Sequence, residues 1–215
     1  MNETEKLKTF IRSLGIDLVG IADLQPLKGM PSGLPVPVPD FFKGYRFAIV
    51  MGIQWGKLGK DVPGREVSKF LEGAVADLCS YLEKYRVYSL PIHTEEEFDP
   101  VKRMGLLSLK VLAKAAGLGW QGRSLLVVSP DYGPIHRLVA VLTNMELQAD
   151  LPIANRCEDC CICVDKCPTQ ALTLTPFDDH PPSREEVLSL QRCLGDDGCM
   201  VCIKNCPFAK AESGK

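Results

Sequence analysis

The feature that most constrains this chain is the placement of its cysteines. Nine of the ten fall between Cys157 and Cys206, and the tenth, Cys79, lies far upstream. Their spacing is regular: Cys157-x2-Cys160-x2-Cys163-x3-Cys167-Pro168, then Cys193, then Cys199-x2-Cys202-x3-Cys206-Pro207. Around them the sequence is made of short turns and small helical pieces, with no strand pattern longer than Ala171 to Leu174. About 65 residues of this kind bury too little apolar surface to hold a fold unaided. Some other source of cohesion has to sit among the thiols.

The compartment narrows the choice. Met1 to Lys6 is charged, with neither a signal-peptide apolar core nor a twin-arginine pair, and no apolar run approaches the ~20 residues of a membrane span. The expected location is the cytoplasm, without a membrane partner. Thiols stay reduced there, so a cysteine-rich segment reads as metal-binding or redox-active and not as a disulfide framework.

A C-x2-C-x2-C-x3-C-P run is the arrangement that holds [4Fe-4S] clusters in bacterial ferredoxins. The x2 steps let a tight turn aim several thiolates at one cube, with backbone N–H groups stabilising its negative charge. The x3 step starts a short helix that carries the fourth thiolate to the other cluster. The second run is the same motif with its first member displaced to Cys193. This reading assigns Cys157, Cys160, Cys163 and Cys206 to one cluster, and Cys167, Cys193, Cys199 and Cys202 to the other. Zinc favours two separated CxxC pairs and has no use for the x3-Cys-Pro member. Cys161 fits neither spacing and reads as structural.

The rest of the 215-residue chain is an ordinary globular sequence, 46% hydrophobic with a net charge of −2. That charge supplies no basic field for phosphates and argues against a nucleic-acid partner. Leu7, Phe10, Ile11 and Leu14 recur at helical spacing, and Gly15 stands at the C-terminal glycine position. Residues 16–22 and 47–53 read as buried strands, and residues 66–85 as a long amphipathic helix with Cys79 beside its apolar face. A third strand is expected over 87–92, a helix over 106–116, and two strands over 124–128 and 137–142 joined by the turn Ser129–Pro134. Five prolines between residues 25 and 40 make an irregular segment. The expected fold class is α/β or α+β with a helix-covered sheet. A boundary near residues 150–152 divides a domain over 1–150 from a cysteine domain over 151–215.

Outside the cysteines the chemical signals are sparser. Gly117, Gly119, Trp120 and Gly122 form a glycine-dense loop that lets backbone approach a ligand or packs as a tight turn. It is neither a dinucleotide fingerprint nor a phosphate loop. Of the histidines, His136 is the candidate for cofactor contact. His93 precedes a charged stretch, and His180 belongs to an exposed loop. His93, Asp99 and Tyr132 are the acid–base candidates. Nothing points to Ser-His-Asp or Cys-His hydrolysis.

The stretch AGLGWQGRSLLVVSPDYGPIHRLVAVLTNMEL, the LGIDLVGIADLQPL segment and the cysteine module after them resemble the epoxyqueuosine reductase family, over most of residues 8–210. The likeness is greatest to its short relatives with two clusters, which are akin to reductive dehalogenases. The resemblance implies a nitroreductase-like N-terminal domain and a ferredoxin-like C-terminal one. It also implies a cobalamin whose cobalt the two clusters reduce to Co(I), although nitroreductase-like domains elsewhere hold flavin. The loop with Gly117, Gly119, Trp120 and Gly122, the Tyr132-Gly133-Pro134 turn and the Leu142-Thr143-Asn144 corner match segments near the cofactor in that family.

Two departures stand out. Lys102-Arg103-Met104-Gly105 replaces the segment that carries the family's proposed proton-donating aspartate, and Asn144 replaces its aspartate. The expected function is therefore an iron–sulfur oxidoreductase whose clusters pass electrons to a corrinoid, or a flavin, held by the N-terminal domain. The alternative is an electron carrier that reduces or reactivates a partner redox or corrinoid protein, and a third reading is queuosine-type tRNA modification. Each needs a soluble electron donor of ferredoxin or flavodoxin type.

Overall fold

The structure is a computed structural model, and it describes residues 2–27, 44–58, 62, 64–92, 107–181 and 183–209. The candidates His93 and Asp99, and the segment Lys102–Gly105, lie outside these residues.

Helix α1 (Glu3–Ser13) starts where Asn2 Oδ1 accepts the Glu5 N–H and ends before Gly15, whose φ of +87° suits glycine. Strands β1 (Leu18–Asp23) and β2 (Phe47–Gln54) follow, then helix α2 (Gly64–Glu83) and strand β3 (Ser89–Ile92). Helix α3 (Leu109–Ala115) begins at the Ser108 cap. Beyond it come β4 (Trp120–Gln121), β5 (Val127–Val128) and β6 (His136–Thr143).

The four long strands form one sheet in the order β1-β2-β6-β3, and every neighbouring pair is antiparallel. Period-two alternation along β2 explains how both of its faces are buried. Ile49, Met51 and Ile53 point to one side, where Leu7 and Ile11 of α1 and Leu71, Leu78 and Leu82 of α2 cover them. Ala48 and Val50 point to the other, against Leu112 and Ala113 of α3, Leu118 and Val127. The result is a helix–sheet–helix sandwich of mixed α and β structure. Cys79 packs against the first core, and burial pushes its thiol above the usual range. Among the described residues no helix is long and apolar enough to cross a membrane.

Two expectations need correction. Only Val127 and Val128 of the 124–128 stretch are strand, and they pair with Trp120 and Gln121 and not with the main sheet. The Gly122 N–H donates to the Leu126 carbonyl and the Leu125 N–H back to Gly122, with Leu125 at φ +60°. That turn uses up the residues between. Residues 171–174 likewise make a single bridge, Leu172 to Leu188, and no strand.

Past Asp150 the chain has short helices α4 (Ile162–Asp165), α5 (Gly195–Gly198) and α6 (Val201–Lys204). Its buried apolar side chains among the described residues are Ala171, Leu172, Val187 and Ile203. The Asp150 carboxylate receives the Ile21 N–H at 2.8 Å and Lys8 Nζ at 2.6 Å, which ties the start of this segment to edge strand β1 and to α1.

Candidate cluster sites and an adjoining cavity

The two cysteine runs build the same local unit twice. Cys161 precedes α4 at φ −118°, ψ 9°, and Met200 precedes α6 at φ −118°, ψ 18°. Their carbonyls accept the equivalent N–H groups, Val164 and Asp165 in one copy and Ile203 and Lys204 in the other. After each helix the N–H three residues past the Cys-Pro cysteine returns to it, Gln170 to Cys167 and Ala209 to Cys206. Helices α4 and α6 pack against each other, so the copies face one another.

That facing brings thiols of different runs together. All ten cysteines are free and partly buried. Burial, then the neighbouring Cys157, Cys202, Cys160 and Cys206, push the Cys163 thiol up to about 12. Burial raises Cys206 as well, opposed by the Phe208 N–H and assisted by Cys157 and Cys160 of the first run. Cys202 is raised by burial and then by Cys193, Cys199 and Cys167. Cys167 is the opposite case. Burial works against its ionisation, but N–H donors at Leu172, Ala171 and Thr169 hold its thiol below the ordinary range. Cys163, Cys206 and Cys202 are thus sulfurs that resist ionising in their crowded surroundings. Four thiolates in such a space are stable around a cationic core that deprotonates them outright. The donor chemistry fits an iron–sulfur cluster in each group. Among the described residues no three His, Cys, Asp or Glu side chains converge on a single-ion site.

A cavity of about 840 Å³ opens beside one group. Cys167, Cys193, Cys199 and Cys202 all line it, and no thiol of the other group does. Trp55, Lys110, Val127, Pro134, His136 and Arg137 line it as well. The volume lies in the range of small-molecule sites. His136 Nε2 lies 3.1 Å from the Val127 carbonyl, which can only accept, so Nε2 carries the proton. Nδ1 is fully enclosed and has no partner. Burial lowers the His136 pKa to about 4, so the ring is neutral at pH 7.

The other expected cofactor residues are not at this cavity. A Cβ on Gly117 would stand 2.5 Å from the Leu151 carbonyl oxygen, and one on Gly119 2.2 Å from that of Val128. The loop therefore makes its close approach to the protein's own backbone. Gly122 faces Val128 and Cys157, and Trp120 donates from Nε1 to Cys157 Sγ at 3.4 Å. Asn144 is exposed and accepts the Tyr88 N–H at 2.9 Å. It follows the last residue of β6 whereas His136 is the first, about 26 Å apart at strand rise. The two stand at opposite ends of the strand. Tyr132 packs against the core beneath α3 and does not line the cavity.

Trp55, Lys110 and Arg184 are cavity residues that sequence reasoning missed. Trp55 reaches the site because Gln54 pairs with His136 across antiparallel β2 and β6. The signal was a tryptophan directly after a strand, and it could be used only with the strand order known.

No protein-family model matches the chain. Curated proteins do. Among them are the epoxyqueuosine reductases of Staphylococcus aureus, Bacillus subtilis and Synechocystis, at 35%, 37% and 30% identity over 47%, 50% and 71% of this chain. The chain's curated relatives are thus epoxyqueuosine reductases. It spans 30%, 31% and 55% of the length of these three. Among solved structures, an epoxyqueuosine reductase with a modified tRNA stem loop matches 95% of this chain at TM-score 0.69 and 21% identity, over 64% of its own length. A reductive dehalogenase, described as B12-dependent, matches 97% at TM-score 0.68 and 18% identity, over 32% of its length. Likenesses at these identities establish the fold. The first neighbour carries tRNA, so the argument from net charge against nucleic acid does not extend to that relative.

Proposed function

We propose that this chain is an iron–sulfur oxidoreductase. In this reading, residues 1–150 are a nitroreductase-like domain and residues 151–215 a ferredoxin-like one. Cys157, Cys160, Cys163 and Cys206 hold an outer [4Fe-4S] cluster, and Cys167, Cys193, Cys199 and Cys202 an inner one. The crowding of Cys206 with Cys157 and Cys160, and of Cys167 with Cys202, supports the exchange. The observation that carries the reading is the cavity, lined both by all four inner cysteines and by residues of the sheet. Electrons enter from a soluble ferredoxin- or flavodoxin-type donor at the outer cluster, pass to the inner one, and leave to a ligand in the cavity.

That ligand is a corrinoid, or failing that a flavin; bound there, a corrinoid would supply a reduced, nucleophilic cobalt. The protein's part is to position the ligand and to exclude water. Trp55 and Leu138 offer apolar surface, Lys110 and Arg184 bring positive charge, and neutral His136 forms part of the wall.

A second reading, reduction of epoxyqueuosine in tRNA, is favoured by the name the curated relatives share. Anaerobic titration of the reconstituted chain with hydroxocobalamin, followed by absorbance, tests the first. About eight irons per chain and a base-off cobalamin spectrum support it. Eight irons with neither cobalamin nor flavin bound overturn it and leave an electron carrier. Turnover of an epoxyqueuosine-bearing stem loop would establish the second reading.

A further inference from the structure

Trp120 is 1% exposed, the largest of the fully buried side chains. Its indole N–H donates to Cys157 Sγ at 3.4 Å. Two contacts fix the ring, and a third residue fixes its sulfur partner. The Arg156 guanidinium lies over its face, 5.7 Å from the centroid. Phe208, just past Cys206-Pro207, meets it edge-on at 4.9 Å and 82°. Asn155 donates to the Gln121 carbonyl and accepts the Cys157 N–H at 2.8 Å, which pins the cysteine beside β4.

An electron added to an iron–sulfur cluster increases the negative charge on its sulfur ligands. A fixed N–H donor stabilises that charge more in the reduced state and so raises the potential. A cation on the ring face withdraws electron density from the indole and makes its N–H a better donor. From this geometry we infer that Trp120, assisted by Arg156, is a positioning residue that sets the reduction potential of the Cys157 cluster. The inference rests on the ligand assignment proposed above. It moves Trp120 from a corrinoid contact to the control of the outer cluster.

The test is an anaerobic redox titration of the full chain, monitored by EPR, with iron counted on each sample. Trp120→Phe keeps an aromatic, though smaller, ring and removes the donor. The expected result is full iron, one of two midpoints lowered and the other unmoved. The reduced-to-oxidised ratio at the wild-type midpoint falls about tenfold, the factor a hydrogen bond to a charged group is worth. Arg156→Gln shifts the same midpoint in the same direction by less. Full iron with both midpoints unmoved overturns the inference. Should Trp120→Phe lose iron, Arg156→Gln decides by the same criterion. Wild-type protein that takes up no clusters overturns the ligand assignment and the inference with it.

Discussion

Met200 stands in the second cysteine run where Cys161 stands in the first. The two residues have nearly the same backbone angles, and each accepts the same pair of N–H groups from the helix after it. A methionine serves at that position, so the fold asks no thiolate of it. Cys161 bonds to Asp165, and that contact raises its thiol above the usual range.

Cys161→Met should therefore leave about eight irons per chain and two reducible clusters. Iron and sulfide analysis on the reconstituted variant checks this. Loss of half the iron would make Cys161 a ligand and shift the register of the first run.

Cys206→Ala removes a thiol that lies beside Cys157 and Cys160, although it belongs to the last run. Iron should fall to about four per chain, and the lost EPR signal should be the one that Trp120→Phe perturbs. Eight irons in this variant would refute the exchange between runs.

His136 gives the fold a dependence on pH. Its pKa is about 4 when folded, against about 6.5 in the unfolded chain. The unfolded state thus binds more protons between these values, and stability falls as pH drops through that window. The full difference amounts to at most about 3 kcal/mol. Urea midpoints for wild type and His136→Gln, taken from pH 4 to 7, should converge toward pH 4 and separate toward pH 7. Parallel curves would show that the ring is not held neutral.

Gly119→Ala places a methyl 2.2 Å from the Val128 carbonyl oxygen. Backbone sits on both sides of that contact, so relief requires the β4–β5 hairpin to move. The cost should be about 1–3 kcal/mol, read from thermal unfolding. The hairpin holds Trp120, so the Cys157 cluster should be disturbed in the same variant. A wild-type melting curve would mean that the loop yields easily.

The elements were legible wherever apolar periodicity is strong. Leu7, Ile11 and Leu14 gave α1 away, and the run from Phe47 to Ile53 gave β2. Strand order was not legible, because β2 is covered on both faces and its residues name no neighbour. That gap hid the cavity, whose walls come from the β2 and β6 ends and from residues more than 30 positions later. The glycine loop shows a related limit. Pattern shows that backbone comes close to something at Gly117 and Gly119, but not that the something is Leu151 and Val128. The expected thiol grouping came from spacing, which limits how far each sulfur can reach.

The mixed parentage proposed for each thiol group would have a consequence for biosynthesis. Cys157, Cys160 and Cys163 are made early in their segment, yet their fourth companion, Cys206, is 43 residues further along the chain. While Cys206 is still inside the ribosome, neither group can close on the first run alone. In the proposed arrangement, cofactor insertion is thereby deferred until Cys206 has emerged. A chain cut short before Cys206 would leave the first run open, so unfinished product would be recognisable by its missing metal.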